Sequence, residues 1–197
     1  MARGKENEHR IERLENQVHL YQKLSRFFAR PPALTEALAT VVNHVARFLH
    51  ADSCLLYLSS REELVLSAAH GPNPAAVGTV KLKLDEGLTG WVARERRLLA
   101  ITREAFLDQR FKFFQDLPED RFEAFLSAPV IALNRVVGVI NVQHRSPHAH
   151  GGDEMEMLTS IGEIVGGLVA LSCSDPAGFE QADYARVALT NGAGTGR

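Results

Sequence analysis

Cysteine is scarce in this sequence: only Cys54 and Cys173 occur. Two cysteines are not expected to make a disulfide scaffold or a self-contained four-ligand zinc site. Charge of one sign is also lacking, since 22 Lys and Arg stand against 24 Asp and Glu, a formal net charge of -2. So balanced a chain lacks the field for bulk capture of nucleic acid or an anionic membrane, and neither is expected as a partner. No apolar run approaches the roughly 20 residues that span a bilayer. The polar start MARGKENEHR has no apolar core behind it, so no secretory signal is visible and a cytoplasmic location is expected. Phosphate-binding patterns GxxxxGK[ST] and GxGxxG are missing, and there is no internal repeat. What is present is an ordinary apolar share, 45% of 197 residues. That suffices for one domain with a sizeable core and an appended element.

The order of elements is legible from periodicity. Residues 1–10 are charged and expected to fray. Ile11, Leu14, Val18, Tyr21 and Phe28 then recur at helical spacing with polar residues between them, so 1–30 reads as an amphipathic or coiled-coil helix. Its stripe needs a partner, either its own domain or a second copy. Pro31 and Pro32 break it. Leu34 to His50 is a second helix. Strand-like runs follow at 53–58, 63–69 and 79–84, the last alternating with period two. Asp85-Glu86-Gly87 and Gly90 precede a short helix at 91–95, with Gly87 suited to a positive φ and Thr89 to a cap. A strand at 98–101 leads into an irregular segment, with a helical turn at Phe122 and Phe125. Strands at 129–133 and 136–142, a polar turn at 144–152 and a helix at 153–171 complete a domain at 31–172. Residues 173–197 read as a flexible tail or linker. Hairpins joined with helices predict an α+β layer with helices on one sheet face.

Several segments together resemble a known family. They are Asp85-Glu86-Gly87 with Gly90, Arg110-Phe111-Lys112, Arg121-Phe122 with Ser127-Ala128-Pro129-Val130, and Gly138 to Gln143. In order and spacing these are similar to a GAF domain. The likeness is strongest to the GAF domain at the N-terminus of the nitrogen-related phosphoenolpyruvate-protein phosphotransferase, the Enzyme I paralogue. The resemblance covers about residues 30–172. It implies a GAF-like, PAS-related, six-stranded antiparallel sheet with helices on one face, and a ligand cavity on the other. It also implies a homodimer, in which Ile11, Leu14, Val18, Tyr21 and Phe28 meet Leu158, Ile161 and Val165 across a two-fold axis. The implied role is non-catalytic signalling through a small molecule or a partner protein, in phosphotransferase or nitrogen signalling, with glutamine or 2-oxoglutarate as candidate ligands. At 197 residues there is no room for a phosphohistidine domain or a phosphoenolpyruvate-binding barrel. The expectation is therefore a standalone relative or a fragment.

The segment from Asp108 to Phe125 is the foremost functional candidate, because it interleaves aromatic groups with Arg and Lys. Asp108, Arg110, Phe111, Phe114, Phe122 and Phe125 could roof a pocket and point a cation at an anionic ligand. Equally, the Phe side chains could anchor the loop while Arg110 pairs with Asp108 or Asp116. His70 and Trp91 could line the same cavity. Asn141 joins them as the match to the Asn of the cyclic-nucleotide GAF signature. That signature is otherwise half absent, with Val142 at the Lys position and Ala149 at the Phe position. His144, His148 and His150 could bind a divalent metal, but on a polar turn they are expected to be solvent-exposed, and no metal or cofactor is predicted. Neither cysteine matches the positions of GAF-type methionine sulfoxide reductases, so catalysis is not expected. A purely structural dimerisation module is the alternative.

Overall fold

The computed structural model describes residues 2–30, 32–72, 74–112, 122–173 and 182–190. Its elements are α1 (Ala2–Ala29), α2 (Leu34–Phe48), β1 (Ser53–Ser60), β2 (Glu63–His70), β3 (Lys81–Lys83), α3 (Gly87–Glu95), β4 (Leu99–Ile101), β5 (Ala124–Ala132), β6 (Arg135–His144), α4 (Gly152–Ser172) and α5 (Tyr184–Thr190). The six strands form one antiparallel sheet in the order β3-β2-β1-β6-β5-β4.

Strand alternation sorts the side chains onto two faces. Cys54, Leu56 and Leu58 of β1, Leu126, Ala128 and Val130 of β5, and Ile140 and Val142 of β6 point to one face. There they meet Leu38, Val41, Val42 and Val45 of α2 and Leu158, Ile161 and Val165 of α4 in the main core. Tyr57, Leu66 and Val139 point the other way, beneath Val92 and Ala93 of α3. Helix α4 lies unusually close to the sheet. A Cβ on Gly166 would overlap the Ile131 carbonyl, and one on Gly162 would stand 2.8 Å from the Pro129 oxygen. Only glycine at these two positions permits that approach.

The sheet, the helix-covered face and the antiparallel α+β class agree with the sequence reading. Five local expectations are corrected. Helix α1 begins at Ala2, so residues 2–10 are helical. Its own-domain face is Leu20 and Leu24, with Tyr21 and Phe27 partly buried against the core. Of the expected stripe, Ile11, Leu14 and Val18 lie around the cylinder from it at 56, 51 and 52% exposure, while Phe28, 43% exposed, sets its ring beside Gly167 of α4. Leu158, Ile161 and Val165 cannot serve a dimer interface in this fold, because each is fully enclosed by its own sheet and α2. Strand β5 starts at Ala124: pairing of Phe125 with Gln143 and Leu126 with Val142 overrides the expected helical turn. The expected tail contains α5, whose Tyr184, Ala185 and Ala188 are buried in the main core. Finally, α4 is long and apolar enough to cross a membrane by length and composition, which the run-length reading missed. Its buried residues, from Met157 to Val169, face this domain's own core.

Candidate functional site

On the face away from α2 and α4 the sheet holds a cavity of about 110 Å³. Its floor is the outward positions of three strands: Ser53, Leu55 and Tyr57, Leu66 and Ala69, and Asn141 and Gln143. The first turn of α3, with Gly87 and Thr89, forms one wall. Phe111, Lys112, Phe122 and Phe125 form another, and His70 and Gly71 a third. The volume is several times the ~30 Å³ share of one water. It lies below the roughly 300–1,000 Å³ typical of drug-sized ligands.

The polar groups of the cavity differ in what they have left to offer. Asn141 is committed: Ser127 Oγ donates to its Oδ1 at 2.7 Å, and its Nδ2 donates to Thr89 Oγ1 at 2.8 Å. This chain of contacts pins α3 to β5 and β6. Thr89 therefore acts inside α3, which starts at Gly87 with a φ of 70°, rather than as its cap. The Nδ1 of His70 lies 2.7 Å from Asn43 Oδ1 on α2. Gln143, two residues along the same strand face from Asn141, is buried, and its Oε1 has no hydrogen-bond partner among the described residues. An unpaired buried acceptor costs about 1–3 kcal/mol.

Lys112 Nζ reaches Glu86 Oε1 at 2.6 Å, while Glu86 Oε2 accepts the Lys83 N–H at 3.1 Å. The Lys112 hydrogen bond holds the Glu86 carboxyl below its ordinary pKa. This pair fastens the segment after β4 to the start of α3 and closes the cavity there. Of the residues expected to line the cavity, His70, Phe111, Phe122, Phe125 and Asn141 do so. Phe114 lies outside the described residues. Trp91, Asp108 and Arg110 are gathered elsewhere, in a unit of their own. Arg110 grips Asp108 through Nε and Nη2, both at 2.8 Å, and its guanidinium stacks 4.6 Å from the Trp91 ring centre. The Arg110 hydrogen bond lowers the Asp108 pKa. Arg110 is thus the loop's own ion pair and not the cavity's cation. Sequence reasoning missed Gln143 and the Lys112–Glu86 latch. The signal for Gln143 was present, since Asn141 and Gln143 are polar at a spacing of two in an otherwise apolar strand.

The histidines correct a second expectation. His144, His148 and His150 are drawn together on the helix-side face: the His144 and His148 rings stack with centroids 4.1 Å apart. His144 is buried, and burial, then the neighbouring His148 and His150, push its pKa down to about 4. Burial alone would raise the pKa of Glu154. The closeness of His150 and His148 outweighs that and brings it to about 2. The three histidines are a group that could hold a metal. The cysteines are placed for neither metal nor catalysis: Cys54 sits in the main core, where burial pushes its thiol pKa up, and Cys173 follows α4.

Comparison with known proteins rests on this geometry. The profile of the GAF domain family matches residues 33–169. A phosphoenolpyruvate-dependent phosphotransferase system protein of Escherichia coli (strain K12) is 31% identical over 105 residues, 52% of this chain and 14% of that protein. The chain therefore spans a small part of the length of the curated relatives it matches. The GAF domain from a phosphoenolpyruvate-protein phosphotransferase of Coxiella burnetii superposes with a TM-score of 0.74 at 26% identity, covering 80% of this chain and 95% of that one. The corresponding Acinetobacter domain gives 0.72 at 25% identity, covering 81% and 93%. Free methionine-R-sulfoxide reductase from Neisseria meningitidis shares the fold alone, at 12% identity and a TM-score of 0.65 over 77% of this chain and 87% of that one. The sheet order, the cavity walled by α3 and the segment after β4, and a profile match over most of the chain agree: this chain belongs to the GAF domain family.

Proposed function

We propose that the domain is a non-catalytic regulatory module that binds a small polar metabolite in the cavity over β1, β2 and β6, within phosphotransferase-linked signalling. The observation that carries this reading is Gln143 Oε1, a buried acceptor left without a partner among the described residues, in the floor of a mainly apolar cavity. A ligand that brings an N–H or O–H group would satisfy it. The lining asks for a donor-bearing compound of amino-acid or amide size, and glutamine fits this better than 2-oxoglutarate, which has no donor when ionised. The volume weighs against a nucleotide. Likeness to GAF domains of phosphoenolpyruvate-protein phosphotransferases supports the signalling context and a cytoplasmic setting.

Catalysis on the sulfoxide reductase pattern has no support from the cysteines, since neither Cys54 nor Cys173 lines the cavity. A protein-contact role draws support from one observation, the exposed row Ile11, Leu14, Val18 and Phe28 on α1. That row is the surface on which a homodimer or a partner helix would form. The test is calorimetric titration and thermal melting with glutamine, asparagine, glutamate and 2-oxoglutarate. A saturable rise in melting temperature with an amide or amino acid is expected. No response to any compound would overturn the sensing role and leave the contact module.

A further inference from the structure

The connection from β6 to α4 brings four potential metal ligands to one place on the face opposite the cavity. His144 closes β6, His148 and His150 lie in the connection, and Glu154 stands in the first turn of α4. One ring nitrogen from each histidine can be chosen so that all three lie within 4.8 Å of one another. Three ring nitrogens are buried without a hydrogen-bond partner: His144 Nε2 and both nitrogens of His150, whose side chain is 1% exposed. Buried polar nitrogens are ordinarily paired; the nearest acceptor to this set is the Glu154 carboxylate, in ion-pair range of His150 Nδ1 but outside hydrogen-bond geometry. Glu154 Oε2 lies 2.9 Å from His148 Nε2 and 3.4 Å from His150 Nδ1, and accepts the Gly151 N–H at 3.3 Å.

We propose that His144, His148, His150 and Glu154 bind one divalent first-row transition metal ion of the zinc type. Imidazole nitrogen is a donor for zinc, copper, nickel and cobalt, whereas calcium and magnesium require mostly oxygen. Three nitrogens and one carboxylate oxygen complete a tetrahedron and leave no open position, the pattern of a structural or regulatory site. Zinc–nitrogen bonds of about 2.0–2.1 Å put tetrahedral nitrogens about 3.3 Å apart. The widest pair must therefore close by about 1.5 Å from its present 4.8 Å. His144 is fixed in its strand, and the movement falls on His148 and His150 in the irregular connection. Glu154 is already aimed by the Gly151 N–H. An imidazole binds a metal through the ring nitrogen that carries no proton, so metal and protons compete for the cluster. Entry is open, because His144, His148 and Glu154 also line a groove between α1 and α2. An ion held there would tie the end of the central strand to the start of α4.

The test uses the full chain without an affinity tag, stripped with chelator and titrated with Co²⁺ and then Zn²⁺. One Co²⁺ per chain with the intense visible bands of a tetrahedral nitrogen-oxygen site is expected, followed by displacement by Zn²⁺ and a rise in melting temperature. His150→Gln and Glu154→Gln should each weaken binding at least tenfold. His50→Gln, on the groove wall outside the cluster, should leave it unchanged. Absence of stoichiometric binding by the folded wild-type chain overturns the proposal. So does binding that survives His150→Gln, or that falls equally with His50→Gln. If His150→Gln does not fold, Glu154→Gln and the wild-type Co²⁺ spectrum decide.

Discussion

Gln143 and His144 are neighbours at the end of β6, and the pleat sends them to opposite faces of the sheet. Both bury a polar atom without a partner, Gln143 Oε1 on one side and His144 Nε2 on the other. Their surroundings differ. Gln143 faces a mainly apolar cavity whose other prominent amide, Asn141, is already spent on Ser127 and Thr89. His144 faces other imidazoles and a carboxylate. The first setting suits a neutral or zwitterionic organic donor, the second a Lewis-acidic ion. One strand end thus presents two vacant valences of different chemistry, separated only by the thickness of the sheet. The faces differ in packing as well: the helix side is filled by α2, α4 and α5, whereas the cavity side is covered by α3 and loops.

The largest effect should come from testing this packing contrast on β1. Leu56→Ala, on the filled side, should cost about 3 kcal/mol of unfolding free energy, within the usual 2–5 for a buried leucine. Leu55→Ala, beside it on the cavity wall, should cost about 1 kcal/mol, because space already exists there. Equal losses in denaturant titration would remove the contrast. Next, polar replacement of Ile11, Leu14 and Val18 together should weaken self-association at least tenfold, by burial of roughly 25 cal/mol per Å² at an interface. Unchanged sedimentation would show that the exposed row serves no dimer.

Gln143→Leu sharpens the comparison on its own face. It should leave the free domain equal in stability or up to about 1 kcal/mol more stable, since an unpaired acceptor is removed. It should also weaken binding of a donor-bearing ligand about tenfold. Binding undiminished in calorimetry would detach Gln143 from recognition.

The smallest effect belongs to the Asp108–Arg110 pair. Its carboxyl pKa is lowered in the folded state, so its contribution is complete above the unfolded value, near 3.8, and is lost as pH falls through the lower folded value. Asp108→Asn should cost less than about 1 kcal/mol at neutral pH, given partial exposure of both groups. It should also flatten the acid side of the stability curve. A loss that grows above pH 5 would contradict this assignment.

The two faces of the sheet were legible wherever alternation was strong. The run from Val136 to Val142 declares β6 and the face of Asn141, but the strand continues through Gln143 to His144, two positions beyond the expected end. SCLLYL declares β1 in the same way. The roof was legible only in part. Phe111, Phe122 and Phe125 reach the cavity as expected, but Arg110 turns to Asp108, an option the spacing had left open. The α1 stripe was legible but the face on its own domain was not, because Leu20 and Leu24 also recur at helical spacing. A helix with two apolar rows does not say from its sequence which row faces its own domain. Helix α5 escaped notice because a seven-residue helix spans only two turns and carries little periodic signal. It is held by the core that Tyr184, Ala185 and Ala188 enter.

The sequence by itself determined the order of the main elements from α1 to α4, the antiparallel class and the faces of the strongly alternating strands, because these follow from local periodicity and from the steric demands of glycine and proline. Only the tertiary structure decided which polar groups consume one another and which are left over. Asn141 meets Thr89 across 52 positions of sequence, and Ser127 across 14. Pairings at such range depend on the sheet register and on where α3 and α4 settle. The vacancies at Gln143 and His144 are the remainder of those pairings, and no local pattern encodes a remainder.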